Sequence, residues 1–215
     1  WRRLRRFKLL VAGAVEEANR RGIASEGAVG EGVDLQKRNG HGAASIRVME
    51  AFRAASTETL KTVLTRMRTA VEALPERDLW WRPHEASTSV GNLLLHLSGN
   101  VRQWISGGLG GAADARDRAS EFAARDGATR AGLLARLEGV VEEACRVIDG
   151  LDDAALQRPV TIQGFATTGL RAVYHVVEHF AWHTGQVVWI AKARAGADHG
   201  IAFYDDDALN RARNP

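Results

Sequence analysis

The chain has 215 residues, 45% of them hydrophobic and 26% charged, with a formal net charge of +3 and a pI near 9.4. That balance belongs to a globular protein, and no apolar run reaches the roughly 18 residues that a membrane-spanning helix needs. A single cysteine, Cys145, excludes an internal disulfide and suits a reducing compartment, so a cytoplasmic protein is expected, with the thiol packed at an apolar helix position.

The basic character is uneven. Residues 1–48 carry 10 Lys+Arg against 5 Asp+Glu, whereas the remainder carries 19 against 21. A nucleic-acid-binding body would show a basic stripe within a fold motif of its own; none is present, so specific nucleic-acid binding is not expected. Residues 1–48 are Gly-rich and lose their apolar period after Val15. Leu9 to Val15 imitates the apolar core of a signal peptide, but the run is short and Glu16 and Glu17 follow at once. The segment is read as a disordered basic leader, or as sequence upstream of a natural start at Met49. Residues 49–215 are expected to hold the folded body and a C-terminal tail.

From Met49 the periodicity is helical. Leu60, Val63, Leu64, Met67, Val71 and Leu74 recur at three and four residues, forming one helix face that ends before Pro75. After the linker Leu79-Trp80-Trp81-Arg82-Pro83, the run Ser87-Thr88-Ser89 offers a capping start. Val90, Leu93, Leu94, Leu97, Val101, Trp104 and Ile105 then make a second apolar face. Glycines 107, 108, 110 and 111 end it, and Ala112 to Gly127 reads as a long polar connection that is partly helical. Thr129 is an N-cap for a third helix through Leu133, Leu137, Val140, Val141, Ala144, Ile148 and Leu151. Residues 152–168 are a connection with Val160 to Ile162 extended, and a fourth helix spans Gly169 to Ala195. The expected architecture is all-α, a four-helix bundle with a long crossover connection.

The fourth helix carries His179 and His183, one turn apart, in the run His175-Val-Val-Glu-His-Phe-Ala-Trp-His-Thr-Gly-Gln186. Imidazoles at i and i+4 leave one helix face close enough to share a cation, and a third nitrogen from another helix leaves positions open for water or substrate. With His175 set at zero and about 100° per residue, the apolar arc centres near 140°, His183 falls at about 80° and His179 at about 40°. The pair therefore points inward, and His175 is a rim or supporting residue. His96, on the second helix, shares a polar stripe with Asn92, Asn100 and Gln103 that periodicity alone would equally assign to wet surface. Rival sites are missing: there is no Glu-x-x-His di-iron pattern and no His-Glu-x-x-His, because Glu178 precedes His179.

At Leu79 to Pro83, at Val90-Gly-Asn-Leu-Leu-Leu-His-Leu-Ser-Gly-Asn-Val-Arg-Gln-Trp104 and at Tyr174 to Gln186, the chain resembles the DinB/YfiT-like superfamily of metal-dependent hydrolases. The resemblance covers about Met49 to Ala195. It implies a four-helix bundle, often a homodimer, with a divalent metal (zinc, nickel or iron) on His96, His179 and His183. Some relatives use a low-molecular-weight thiol as cosubstrate, as mycothiol-dependent maleylpyruvate isomerase and bacillithiol transferases do. The expected function is thus metal-dependent hydrolysis or thiol transfer on a small-molecule substrate. His175 and Glu178 are candidates for moving a proton, and Asn100 and Gln186 for orienting ligand or substrate. The alternative is a non-catalytic, stress-associated bundle that binds a ligand or partner, its histidines merely packed.

Overall fold

The first long helix, α1, spans Leu35–Ala73 in the computed structural model, which describes the backbone of residues 35–212 and the side chains of 47–205 and 208–211. It begins earlier than the boundary expected at Met49; the remainder of the expected leader, residues 1–34, lies outside the described residues. The chain divides into two units, residues 1–41 and 42–215, and the bundle core belongs to the second. From α1, Leu60, Met67, Ala70 and Val71 are buried, with Val63 and Leu64 packed at the margin of the core. Pro75, which cannot continue a helix, follows its end.

Helix α2, Val90–Val101, starts in a reciprocal cap. The Ser89 hydroxyl accepts from the Asn92 N–H at 3.2 Å, and Asn92 Oδ1 accepts from the Ser89 N–H at 3.1 Å. Every residue of α2 except Leu95 is buried, so this helix is the centre of the bundle and not one of its faces. It packs against two later long helices, α4 (Arg130–Gly150) and α6 (Gly169–Ala195), and against a short helix, α3 (Arg118–Ala123). At its end α2 passes into a π-helical turn, Arg102–Gly107. Thr129 caps α4 as expected, accepting from the Gly132 N–H at 3.2 Å, and Thr168 caps α6, accepting from the Arg171 N–H at 3.4 Å. Trp80 lies flat against Gly91, where a Cβ would stand 2.7 Å from its ring, so this tryptophan packs the linker onto α2. Cys145 is buried on α4, in keeping with a packing role.

The two long connections hold structure of their own, the first partly helical as expected. Residues 112–127 include α3, whose Asp117 caps Ala119 and Ser120. Between α4 and α6 lie a short helix α5, Asp153–Gln157, and a hairpin of β1, Pro159–Ile162, with β2, Phe165–Thr168. Its two-residue turn needs positive φ twice, taken by Gln163 at 54° and Gly164 at 78°. A last helix, α7, spans Asp206–Ala212. The long helices α1, α2, α4 and α6 form the expected all-α bundle with its long crossover. Its core runs through Met67, Leu97, Ile105, Leu137, Ile148 and Phe180, each essentially inaccessible. Burying one such side chain contributes about 1.5–3 kcal/mol. Among the described residues no helix is long and apolar enough to cross a membrane.

Candidate metal centre

The helix period that predicts an inward pair on α6 is realised. His183 Nε2 lies 3.0 Å from His179 Nε2, and His96 Nε2, from α2, lies 3.2 Å from the same atom. The three ligand atoms sit within 4.8 Å of one another, the one such group among the described residues. Zinc–nitrogen bonds of about 2.0–2.1 Å in a tetrahedral site separate ligand nitrogens by roughly 3.3 Å, so these spacings suit a shared cation.

The polar stripe of α2 is not wet surface. Asn92, His96 and Asn100 are 0%, 5% and 4% exposed, because the connection that includes α3 folds over them. Asn92 Nδ2–H groups donate to the carbonyls of Glu121 (2.8 Å) and Ala124 (2.9 Å), and Arg82 donates to the latter at 3.3 Å. Phe122 of the same segment lies against the His96 ring, centroids 4.8 Å apart.

Under this cover stands a pair that sequence reasoning missed. His96 Nδ1 lies 3.1 Å from both Glu121 Oε2 and Arg116 Nη2, and Arg116 forks onto the same carboxylate through Nε (2.7 Å) and Nη2 (2.8 Å). Arg116 Nη1 donates to Gln103 Oε1 at 2.9 Å. Gly99 makes the room: a Cβ there would collide with Glu121 Oε1. Burial alone would raise the Glu121 carboxyl, but the hydrogen bonds and charge of Arg116 and His96 together outweigh it and hold it below the usual range. The one signal in the sequence was Asp117 as an N-cap, which marks a helix start but not what that helix covers.

On the other side, the His183 Nδ1–H donates to Gln186 Oε1 at 2.6 Å. With Nδ1 of His183 on Gln186 and Nδ1 of His96 turned toward Glu121 and Arg116, Nε2 of each ring faces the centre, the side on which a cation would be held. His179 Nδ1 is buried without a partner. Burial and the neighbouring rings lower the pKa of His179 to about 3, and burial, opposed by Gln186, lowers that of His183. Both are therefore neutral near pH 7, as ligands must be.

The remaining candidates divide. Gln186 supports His183. His175 is half-buried, its ring 4.2 Å from that of Trp104 and stacked on His179 at 5.3 Å, outside the ligand trio. Asn100 is buried with Oδ1 unpartnered, whereas Glu178 is exposed on α6.

A conserved protein from Enterococcus faecalis superposes with a TM-score of 0.57 at 16% identity, over 66% of this chain and 95% of that one. A DinB-like protein from Bacillus subtilis, YjoA, gives 0.53 at 16% identity, over 70% and 98%. At such identity the likeness is one of fold, and the fold is DinB-like. No curated protein matches the sequence. The profile of one family does, across residues 48–201, which is most of the bundle. The chain therefore belongs to the family described as protein of unknown function (DUF1572).

Proposed function

We propose a divalent-metal-dependent protein whose ion is held by Nε2 of His96, His179 and His183. The observation that carries this reading is the convergence of three imidazole nitrogens, 3.0 and 3.2 Å from the central one, with polar partners behind Nδ1 of two of the three rings. Zinc, nickel and iron all accept imidazole, and the ion is one of these. Bound there, a divalent cation supplies Lewis acidity that brings the pKa of a water or thiol it binds toward neutrality.

The chain's own residues do the rest. Gln186 holds His183 and also lines a cavity of about 560 Å³ with Trp81, Leu93, Trp182, Trp189 and Ile190. That cavity is the seat for an apolar or aromatic small-molecule substrate. Asn100 Oδ1 is a free acceptor for orienting a bound group, and His175 and Glu178 are the groups available to take a proton. The reaction is hydrolysis, or attack of a low-molecular-weight thiol on an electrophilic carbon: the thiol proton passes to such a base, the C–S bond forms as the bond to a leaving group breaks, and the leaving group departs with the electron pair and takes up that proton. A homodimer in the cytoplasm completes the reading, and light scattering on purified protein tests the first part.

Metal analysis of the purified protein beside a His179→Ala, His183→Ala variant is the primary test. Near-stoichiometric metal is expected in the parent and almost none in the variant; full occupancy in the variant sinks the assignment. Screening metal-loaded protein with several thiols and generic electrophiles then separates hydrolysis from thiol transfer.

A second reading is a non-catalytic bundle that binds a ligand or partner. Trp182 and Trp189, 65% and 69% exposed at the rim of the cavity, favour it. It gains if chelators leave both melting temperature and ligand binding untouched.

A further inference from the structure

We propose that Glu121, locked by Arg116, is the positioning residue of the metal centre, and that segment 112–127 is thereby a working part of the site. This rests on the metal reading above. Of the three histidines, His96 alone is held by a charged group, and that group comes from the connection and not from a bundle helix.

The argument turns on which atom of His96 carries the proton. Glu121 Oε2 and Arg116 Nη2 both lie 3.1 Å from His96 Nδ1, so two arrangements compete. In one, Nδ1–H donates to the carboxylate and Nε2 offers its lone pair to the centre. In the other, Nδ1 accepts from Arg116 and Nε2–H points at the centre, which blocks a cation. Arg116 decides between them. Its Nε donates to one carboxylate oxygen and Nη2 to the other, so both oxygens of Glu121 are acceptors, and Nη2 also reaches the His96 carbonyl at 3.4 Å. An oxygen that accepts from Arg116 presents lone pairs to its other neighbour, so an unprotonated Nδ1 beside it would set lone pair against lone pair. The guanidinium–carboxylate fork therefore selects the tautomer that binds metal.

The lock is built, not incidental. The side chains of Arg116 and Glu121 are 4% and 7% exposed. Gly99 leaves the space that Glu121 fills, and Asn92 ties down the carbonyls of Glu121 and Ala124. Losing a supporting partner of this kind typically weakens metal binding by about 10–100-fold.

The test uses the full chain, metal-free and labelled with ¹⁵N-histidine, followed by cobalt(II) titration read by its visible absorption. His96 in the parent is expected with Nδ1 protonated and Nε2 bare. Glu121→Ala should mix the tautomers and weaken cobalt binding by about 10–100-fold. Glu121→Gln, whose amide oxygen accepts the same N–H, should recover most of that loss. Gly99→Ala, which displaces the carboxylate without touching its chemistry, should behave like Glu121→Ala. The inference is overturned if His96 Nδ1 is unprotonated in the parent, or if Glu121→Ala binds cobalt as tightly as the parent. A parent that takes up no cobalt defeats the metal reading and with it a role for Glu121 at a metal centre, whereas the tautomer signal, read without any metal, judges separately whether Glu121 sets the His96 proton. Should Glu121→Ala fail to fold, the parent's tautomer and the Glu121→Gln titration decide.

Discussion

On α6 two candidate ligands come from successive turns of one helix, both half-buried, and His183 is steadied by Gln186 only three residues along. On α2 the third, His96, is 5% exposed and is supported by Arg116 and Glu121, 20 and 25 residues away in sequence. The α6 side is assembled by helix geometry alone, so it exists wherever the helix does. The α2 side exists only when the connection has closed over it. Local rules build the first; long-range packing builds the second.

The strongest way to break this contrast is to remove one side at a time. His179→Ala with His183→Ala takes two of three ligands and should abolish metal binding at micromolar metal. His96→Ala should leave a weak two-histidine site on α6, seen as cobalt binding with a much larger Kd. Equal loss in both variants would mean that the α6 pair has no independent affinity.

Next in size is the core behind each side. Phe180 lies between the two α6 histidines in sequence and is fully buried, so Phe180→Ala should cost about 3–5 kcal/mol in urea unfolding. Trp182→Ala, on the same helix but exposed, should change stability by about 0.5 kcal/mol or less. A large effect of the second would point to a partner surface.

Asn92→Ala sharpens the comparison from the α2 side. It removes the donor to the Glu121 and Ala124 carbonyls and half of the cap on α2, a loss of about 1–3 kcal/mol. Hydrogen exchange should rise in residues 112–127 while α6 stays protected. Uniform loosening would show that the cover and the bundle open together.

Acid offers a gentler probe of the α6 side. An unfolded histidine takes up a proton near pH 6.5, whereas folded His179 holds off until about 3. Between those values the unfolded chain binds more protons, so the metal-free fold has its full stability above about 6.5 and loses it as pH falls. Lowered His183 acts in the same sense. The melting temperature of metal-free protein should drop from pH 7.5 to 5, and less steeply in His179→Gln. Parallel slopes would remove His179 as the cause.

The smallest effect concerns Cys145. Burial raises its thiol pKa, so at pH 8 it should react with a thiol reagent far more slowly than free cysteine and catch up on unfolding.

Much of the bundle was legible because a helix announces itself locally. The caps at Thr129 and Ser89, the stop before Pro75 and the span Gly169 to Ala195 need only neighbouring residues to be recognised. The inward turn of His179 and His183 follows from the same 3.6-residue period. Asn92, His96 and Asn100 were ambiguous because a polar stripe reads alike whether water or another segment covers it. Arg116 and Glu121 were invisible as a pair: five residues apart in a polar connection, they look like any solvated charges. The hairpin at 159–168 was only half legible, since its β2 strand offers no apolar alternation.

What the order of residues determined on its own was which helices form and which faces they turn inward, because both depend on steric and hydrogen-bonding preferences acting within a few residues. What only tertiary structure decided was that His96 is a buried member of the cluster and that its proton sits on the side facing Glu121. That choice depends on a buried carboxylate and guanidinium brought together by packing, and no local spacing encodes the meeting.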